Sequence, residues 1–162
     1  MNRENQLLRR IRWWTCTFIF GLCLSGATAI PLRTEVNWLS HFSNADEKSS
    51  APAEWLVRID KALAETEIRA PFLFYGTDWL AFGHFIIALV FVGALRDPVR
   101  NRWLFDFGLI ACALVIPFAL IFGEIRGIPL WWRLIDCSFG IFGAIPLWFC
   151  RRWTIELENS SR

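Results

Sequence analysis

Four long apolar runs separated by short polar and basic punctuation organise this chain, at residues 13–32, 72–95, 103–123 and 130–150. About 20 predominantly apolar residues are enough to cross the hydrocarbon core of a bilayer, so each run predicts a transmembrane helix. The pattern predicts an all-α polytopic membrane protein: a four-helix bundle with both termini cytoplasmic and one long outer loop over residues 33–71, all in a single membrane domain. Within that loop Trp55, Leu56, Ile59 and Leu63 recur at helical spacing, Ser50 is placed to cap and Pro52 suits a first turn. A short amphipathic helix over residues 52–68 is expected, resting on the outer surface or covering the bundle mouth. The plain alternative is a solvated linker with one frayed helix. Pro117 is expected to bend the third helix, and the triplet Ile-Pro-Leu, at Ile30, Ile128 and Ile145, reads as punctuation near helix ends.

The first run admits two readings. Ala27-Thr28-Ala29 fits the small-x-small cleavage site of a signal peptide. Against this, the run reaches spanning length, and Thr17, Gly21, Ser25 and Thr28 fall on one helical stripe suited to packing on a neighbouring helix. Charge then sets orientation. Of the 17 Lys and Arg residues, ten fall on one side: Arg3, Arg9, Arg10 and Arg12, then Arg96, Arg100 and Arg102, then Arg151, Arg152 and Arg162. By the positive-inside rule this side is cytoplasmic.

Composition agrees with the pattern. Hydrophobic residues make up 55% of the chain and the mean hydropathy is +0.38, as expected of a membrane-resident chain. Nearly all of the ten Trp residues adjoin charged loops, where amphipathic rings anchor helix ends. A net charge of +2 without a basic, aromatic-interleaved groove excludes nucleic acid as a partner. All five cysteines (Cys16, Cys23, Cys112, Cys137, Cys150) lie in apolar runs without a C-x-x-C pair, which argues for packed thiols over a disulfide framework or zinc site. No second membrane histidine accompanies His84, so paired-histidine haem ligation is not expected; the reading has no cofactor and no metal.

The candidate chemistry is a set of polar residues inside the apolar runs. Asp78 lies six residues into the second run and Asp136 six into the fourth, so each is placed about 9 Å below the outer end of its helix at 1.5 Å per residue. Arg133 sits one turn above Asp136, with Gly140 and Gly143 continuing its stripe. Thr77, Ala81, His84 and Ala88 share a face of the second helix, and Asp106, Ala113, Pro117 and Glu124 a face of the third. Burying these small and polar faces together predicts an outer-half cluster of Tyr75, Asp78, Glu124, Arg126, Arg133 and Asp136, with His84 deeper. Charges this close to lipid need partners. Either Arg133 and Arg126 pair with Asp78, Asp136 and Glu124 to lock helices together, or the cluster lines a pocket for a lipid headgroup or small amphiphile. His84 is expected either to satisfy a carbonyl or to relay protons.

The stretches SGATAIPL (residues 25–32), FYGTDWLAFGHF (74–85), LRDPVRN (95–101) and GEIRGIPLWWRLIDCSFG (123–140) resemble a group of small bacterial four-helix inner-membrane proteins without an assigned activity. The resemblance implies a multi-pass inner-membrane location and no chemistry. At the level of topology alone the chain also resembles the emopamil-binding and sigma-2 receptor class, whose intramembrane pockets carry acidic residues. The expected function is a binding or accessory structural membrane protein whose partners are the bilayer, a lipid or amphiphile, another membrane protein or a second copy. The alternative is an intramembrane isomerase or lipid-modifying enzyme using Asp78 or Asp136 as acid or base. A lone transporter is disfavoured, because four helices without inverted symmetry leave little to rock.

Overall fold

A computed structural model describes residues 3–44 and 50–160. Asp46, Glu47 and Lys48 of the expected loop and Arg162 of the basic tail lie outside the described residues. Among the described residues six α-helices follow in order: α1 (Arg3–Ala29), α2 (Leu32–Asn44), α3 (Ala51–Arg69), α4 (Tyr75–Arg96), α5 (Arg102–Ile125) and α6 (Leu130–Ser160), with a 3-10 turn (Pro71–Phe74) before α4. Three stretches are long and apolar enough to cross a membrane: 71–96, α5 and α6. A fourth arises if α1 and the first part of α2, bent by 83° at their junction, form one broken span.

Two compact units divide the chain, Met1–Gly21 with Ile87–Arg162 and Leu22–Ile86. In the first, α5 and α6 form an antiparallel hairpin whose turn follows from local chemistry. Gly127 adopts φ 67°, a conformation that costs glycine little, and the amides of Gly127 and Ile128 donate to the carbonyls of Glu124 (3.0 Å) and Gly123 (2.8 Å). This is the Schellman termination, which satisfies the last carbonyls of α5 before Pro129 opens α6. Down the hairpin, small residues on one helix meet larger groups on the other. A Cβ at Gly140 would stand 2.5 Å from the Cys112 carbonyl oxygen, and one at Gly108 would stand 2.7 Å from Leu147 Cδ1. Close backbone approach of this kind supplies dispersion where lipid removes the hydrophobic driving force between helices.

The core of this unit gathers Leu7 and Ile11 of α1, Phe91 and Ala94 of α4, Leu104 and Phe105 of α5, and Leu147, Cys150 and Leu157 of α6. At its polar end Arg3 pairs with Glu156 (2.5 Å), Arg102 with Glu158 (2.7 Å) and Arg151 with Asp106. These contacts explain why α1 is already helical before Trp13 and why α6 continues past Cys150. Beyond the apolar runs, Leu7, Ile11 and Leu157 still have apolar surface to bury and the arginines still have acids to meet. Many other apolar side chains point outward; Phe118, Phe139 and Phe142 are each more than 60% exposed, the arrangement suited to a hydrocarbon surrounding.

The second unit corrects the expected outer loop, which is mostly helical. Ser50 caps α3 by accepting from the Ala53 amide at 3.4 Å, and Pro52 stands in the first turn. α2 and α3 bury Val36, Ser40 and Ala53 and are tied at their edges by Asn37 with Asp60 and by Arg33 with Glu67. In the same unit Gly26 of α1 is buried against α4, where an added Cβ would come 2.9 Å from His84 Cβ and 3.1 Å from the Ala81 carbonyl.

Two stripes expected to pack do not. Thr17 and Gly21 are exposed, and the Thr17 and Thr28 hydroxyls donate to the carbonyls of Trp13 and Ser25 in their own helix, so they need no neighbour. Ala113 and Pro117 of α5 are likewise exposed, the buried face being Leu104, Phe105 and Gly108, while Asp106 and Glu124 at the two ends of that stripe reach Arg151 and Arg133 of α6. The α4 stripe is packed, with Ala81 and Ala88 almost fully buried. Pro31 and Pro129 stand at helix junctions, whereas Pro146 is buried inside α6.

Candidate functional site

The seven residues of the expected cluster divide between the two units. Tyr75, Asp78 and His84 belong to the second, and Glu124, Arg126, Arg133 and Asp136 to the first.

In the first unit the Schellman turn folds the start of α6 back beside the end of α5. This brings Arg133 against Glu124, Nη1 to Oε2 at 2.6 Å, while the same nitrogen donates to the Leu120 carbonyl at 3.2 Å. The arginine stem lies over Gly123, where any Cβ would overlap it. Its side chain is only 14% exposed and that of Glu124 is 72% exposed, so a charge in an apolar hairpin is carried outward to a carboxylate at the helix end. One donor stays unsatisfied: Arg133 Nε is buried without a partner among the described residues. Asp136, one turn further along α6, is half-buried and makes no ion pair among the described residues. Its neighbour Cys137 is buried, with Sγ 3.9 Å from the Ile116 carbonyl. Arg126 follows α5 directly and is exposed.

In the second unit Asp78 stands near the start of α4. The helix begins at Tyr75, after a 3-10 turn opened by Pro71, so Asp78 lies in its first turn and is exposed. There the helix dipole favours a carboxylate. Tyr75 packs edge-on to Trp79 at 5.9 Å, and Trp79 edge-on to Phe82 at 5.4 Å, an exposed aromatic row beside the acid. His84 is half-buried, and its Nδ1 lies 2.8 Å from the Leu80 carbonyl. A carbonyl only accepts, so Nδ1 donates in this contact. Thr77 donates to the Phe74 carbonyl at 2.7 Å.

No group of three or more His, Cys, Asp or Glu side chains converges among the described residues. The features that seat Arg133 were not singled out in the sequence. Gly123 stands next to Glu124 and could have signalled room for a long side chain, but the Leu120 carbonyl leaves no trace in residue types.

Comparison with protein-family models, curated proteins and solved structures yields no match.

Proposed function

We propose that this chain is a multi-pass protein of the bacterial inner membrane, with both termini cytoplasmic, acting as a binding or accessory structural protein. The observation that carries this reading is the seating of Arg133. Its charge is used internally, by Glu124, the Leu120 carbonyl and the Gly123 face, so it locks the α5–α6 hairpin and does not stand open beside an acid as a catalytic pair would. The outward apolar faces of α4, α5 and α6 supply area for a bilayer, a membrane partner or a second copy. Burial of Ile11, Thr15 and Gly26 supports α1 as a retained helix.

Asp136 favours a second reading. Half-buried, without an ion pair among the described residues and one turn from Arg133, it offers an acceptor to the headgroup of a lipid or small amphiphile. In an intramembrane isomerase or lipid-modifying enzyme the same carboxylate would serve as acid or base. Native mass spectrometry of the gently purified full chain, wild type against Asp136→Asn, tests the choice. A stoichiometric protein companion retained by both forms supports the accessory reading. A small bound mass lost from a folded Asp136→Asn moves the assignment to a ligand site.

A further inference from the structure

We infer that the seam between α1 and α6, at the arginine-rich end of the first unit, is a site for the phosphate and glycerol region of an anionic phospholipid. Behind the seam the helices are closed by fully buried groups: Thr15 Oγ1 lies 3.6 Å from Cys150 Sγ, and that sulfur 3.5 Å from the Ile11 carbonyl. In front of it five aromatic rings form a continuous cluster. Trp13 meets Trp14 at 5.2 Å, Trp14 meets Phe149 at 5.6 Å, and Phe149 meets both Trp148 (5.2 Å) and Trp153 (5.4 Å, stacked). Two guanidinium groups cover this cluster, Arg10 over Trp153 at 5.9 Å and Arg152 over Trp148 at 5.6 Å.

The ion pairs at this end pass those two cations by, as they do Arg9, Arg12, Arg96 and Arg100, and Glu4 of the first turn of α1 makes no ion pair among the described residues. Glu156, Glu158 and Asp106 pair with Arg3, Arg102 and Arg151, and Asp97 accepts from the Arg100 amide at 3.0 Å. Arg10 and Arg152 are exposed and make no ion pair among the described residues. A guanidinium lying on a ring keeps its N–H edges free for phosphate oxygens, which it binds in a bidentate fork. Trp13 and Trp148, 62% and 49% exposed, extend the cluster toward the apolar part of α1 and α6. Indole at this position suits the headgroup level of a bilayer, so the complementary anion is one attached to acyl chains. The seam is separate from Arg133, Glu124 and Asp136, and the inference stands or falls without them.

The test uses the full chain in detergent micelles carrying phosphatidylglycerol or phosphatidylcholine, with lipid retention read by native mass spectrometry. Wild type should retain phosphatidylglycerol in preference to phosphatidylcholine, and inorganic phosphate should not displace it. Arg10→Gln with Arg152→Gln should weaken phosphatidylglycerol retention about thirtyfold, at about fivefold per arginine. Arg9→Gln with Arg100→Gln removes the same charge from the same end and should leave retention near wild type. Should the first pair fail to fold, Arg152→Gln alone carries the comparison at about fivefold. Equal retention of both lipids, equal loss in both double variants, displacement by inorganic phosphate or full retention in the Arg10/Arg152 variant would each overturn the assignment.

Discussion

Two helical hairpins, α5–α6 in the first unit and α2–α3 in the second, are joined by opposite means. The α5–α6 pair approaches through glycine, with Gly140 against the Cys112 carbonyl, Gly108 against Leu147 and Gly123 beneath Arg133, while large apolar side chains point away. The α2–α3 pair buries Val36, Ser40 and Ala53 between its helices and holds its edges with Arg33–Glu67 and Asn37–Asp60. Water rewards burying apolar area, yet this hairpin leaves Trp38, Leu39 and Ile68 exposed and joins through a small apolar seam and a polar rim. Lipid offers no such reward, so helices facing it gain by backbone proximity and by satisfying their polar groups on each other.

Filling a glycine is the strongest way to break this contrast. Gly140→Leu drives a side chain into a backbone carbonyl that cannot move aside, and should lower stability by about 3 kcal/mol, seen as a depressed melting temperature in detergent. A variant melting with wild type would show that the hairpin is not held by close approach. Next comes the charge lock. Glu124→Ala leaves Arg133 with the Leu120 carbonyl alone and should cost about 2 kcal/mol, whereas adding Arg133→Met should restore most of it, since an apolar stem over Gly123 needs no partner. Additive losses in that double-mutant cycle would count against a pair acting as a unit.

The α2–α3 hairpin should answer differently. Ser50→Ala removes the α3 cap and should cost about 1 kcal/mol, confined to faster amide exchange in the first turn of α3. The smallest effect is expected at the half-exposed Arg33–Glu67 pair, where Glu67→Gln should cost about 0.5 kcal/mol or less and lose that effect in high salt. A salt-independent loss larger than that of Ser50→Ala would mean that this rim is shielded from water, and would erase the contrast between the two hairpins.

The candidate site was legible in its members more than in its pairings. Arg133, Glu124 and Asp136 are conspicuous because charges in apolar runs are rare. Which acid meets Arg133 was not readable, because Asp136 is a neighbour along its own helix and Glu124 is a neighbour only through the turn at Gly127. The start of α4 was misplaced for a local reason: Phe72, Leu73 and Phe74 continue the apolar run, yet Pro71 sets them in a 3-10 turn and α4 starts after them. The α1 stripe shows a different failure. Thr17 and Thr28 look like packing residues by type, but a hydroxyl bonded to its own helix carries no demand for a partner.

By itself the sequence determined what depends on neighbours a few residues apart or on run length. It set the approximate place of the three apolar spans over 71–96, α5 and α6, the cap at Ser50, the left-handed glycine at Gly127 and the Asp97-Pro98 turn whose Asp97 receives the Arg100 amide. Tertiary structure alone decided which faces were buried. A helix that is apolar all round presents no stripe to choose by, so the selection of Gly26 over Gly21, of Gly108 over Ala113, and of an interior place for Pro146 waited on the shape of the partner helix. It also decided that the polar ends pack: Leu7, Ile11 and Leu157, outside the apolar runs, share one core, with Arg3–Glu156 and Arg102–Glu158 beside it.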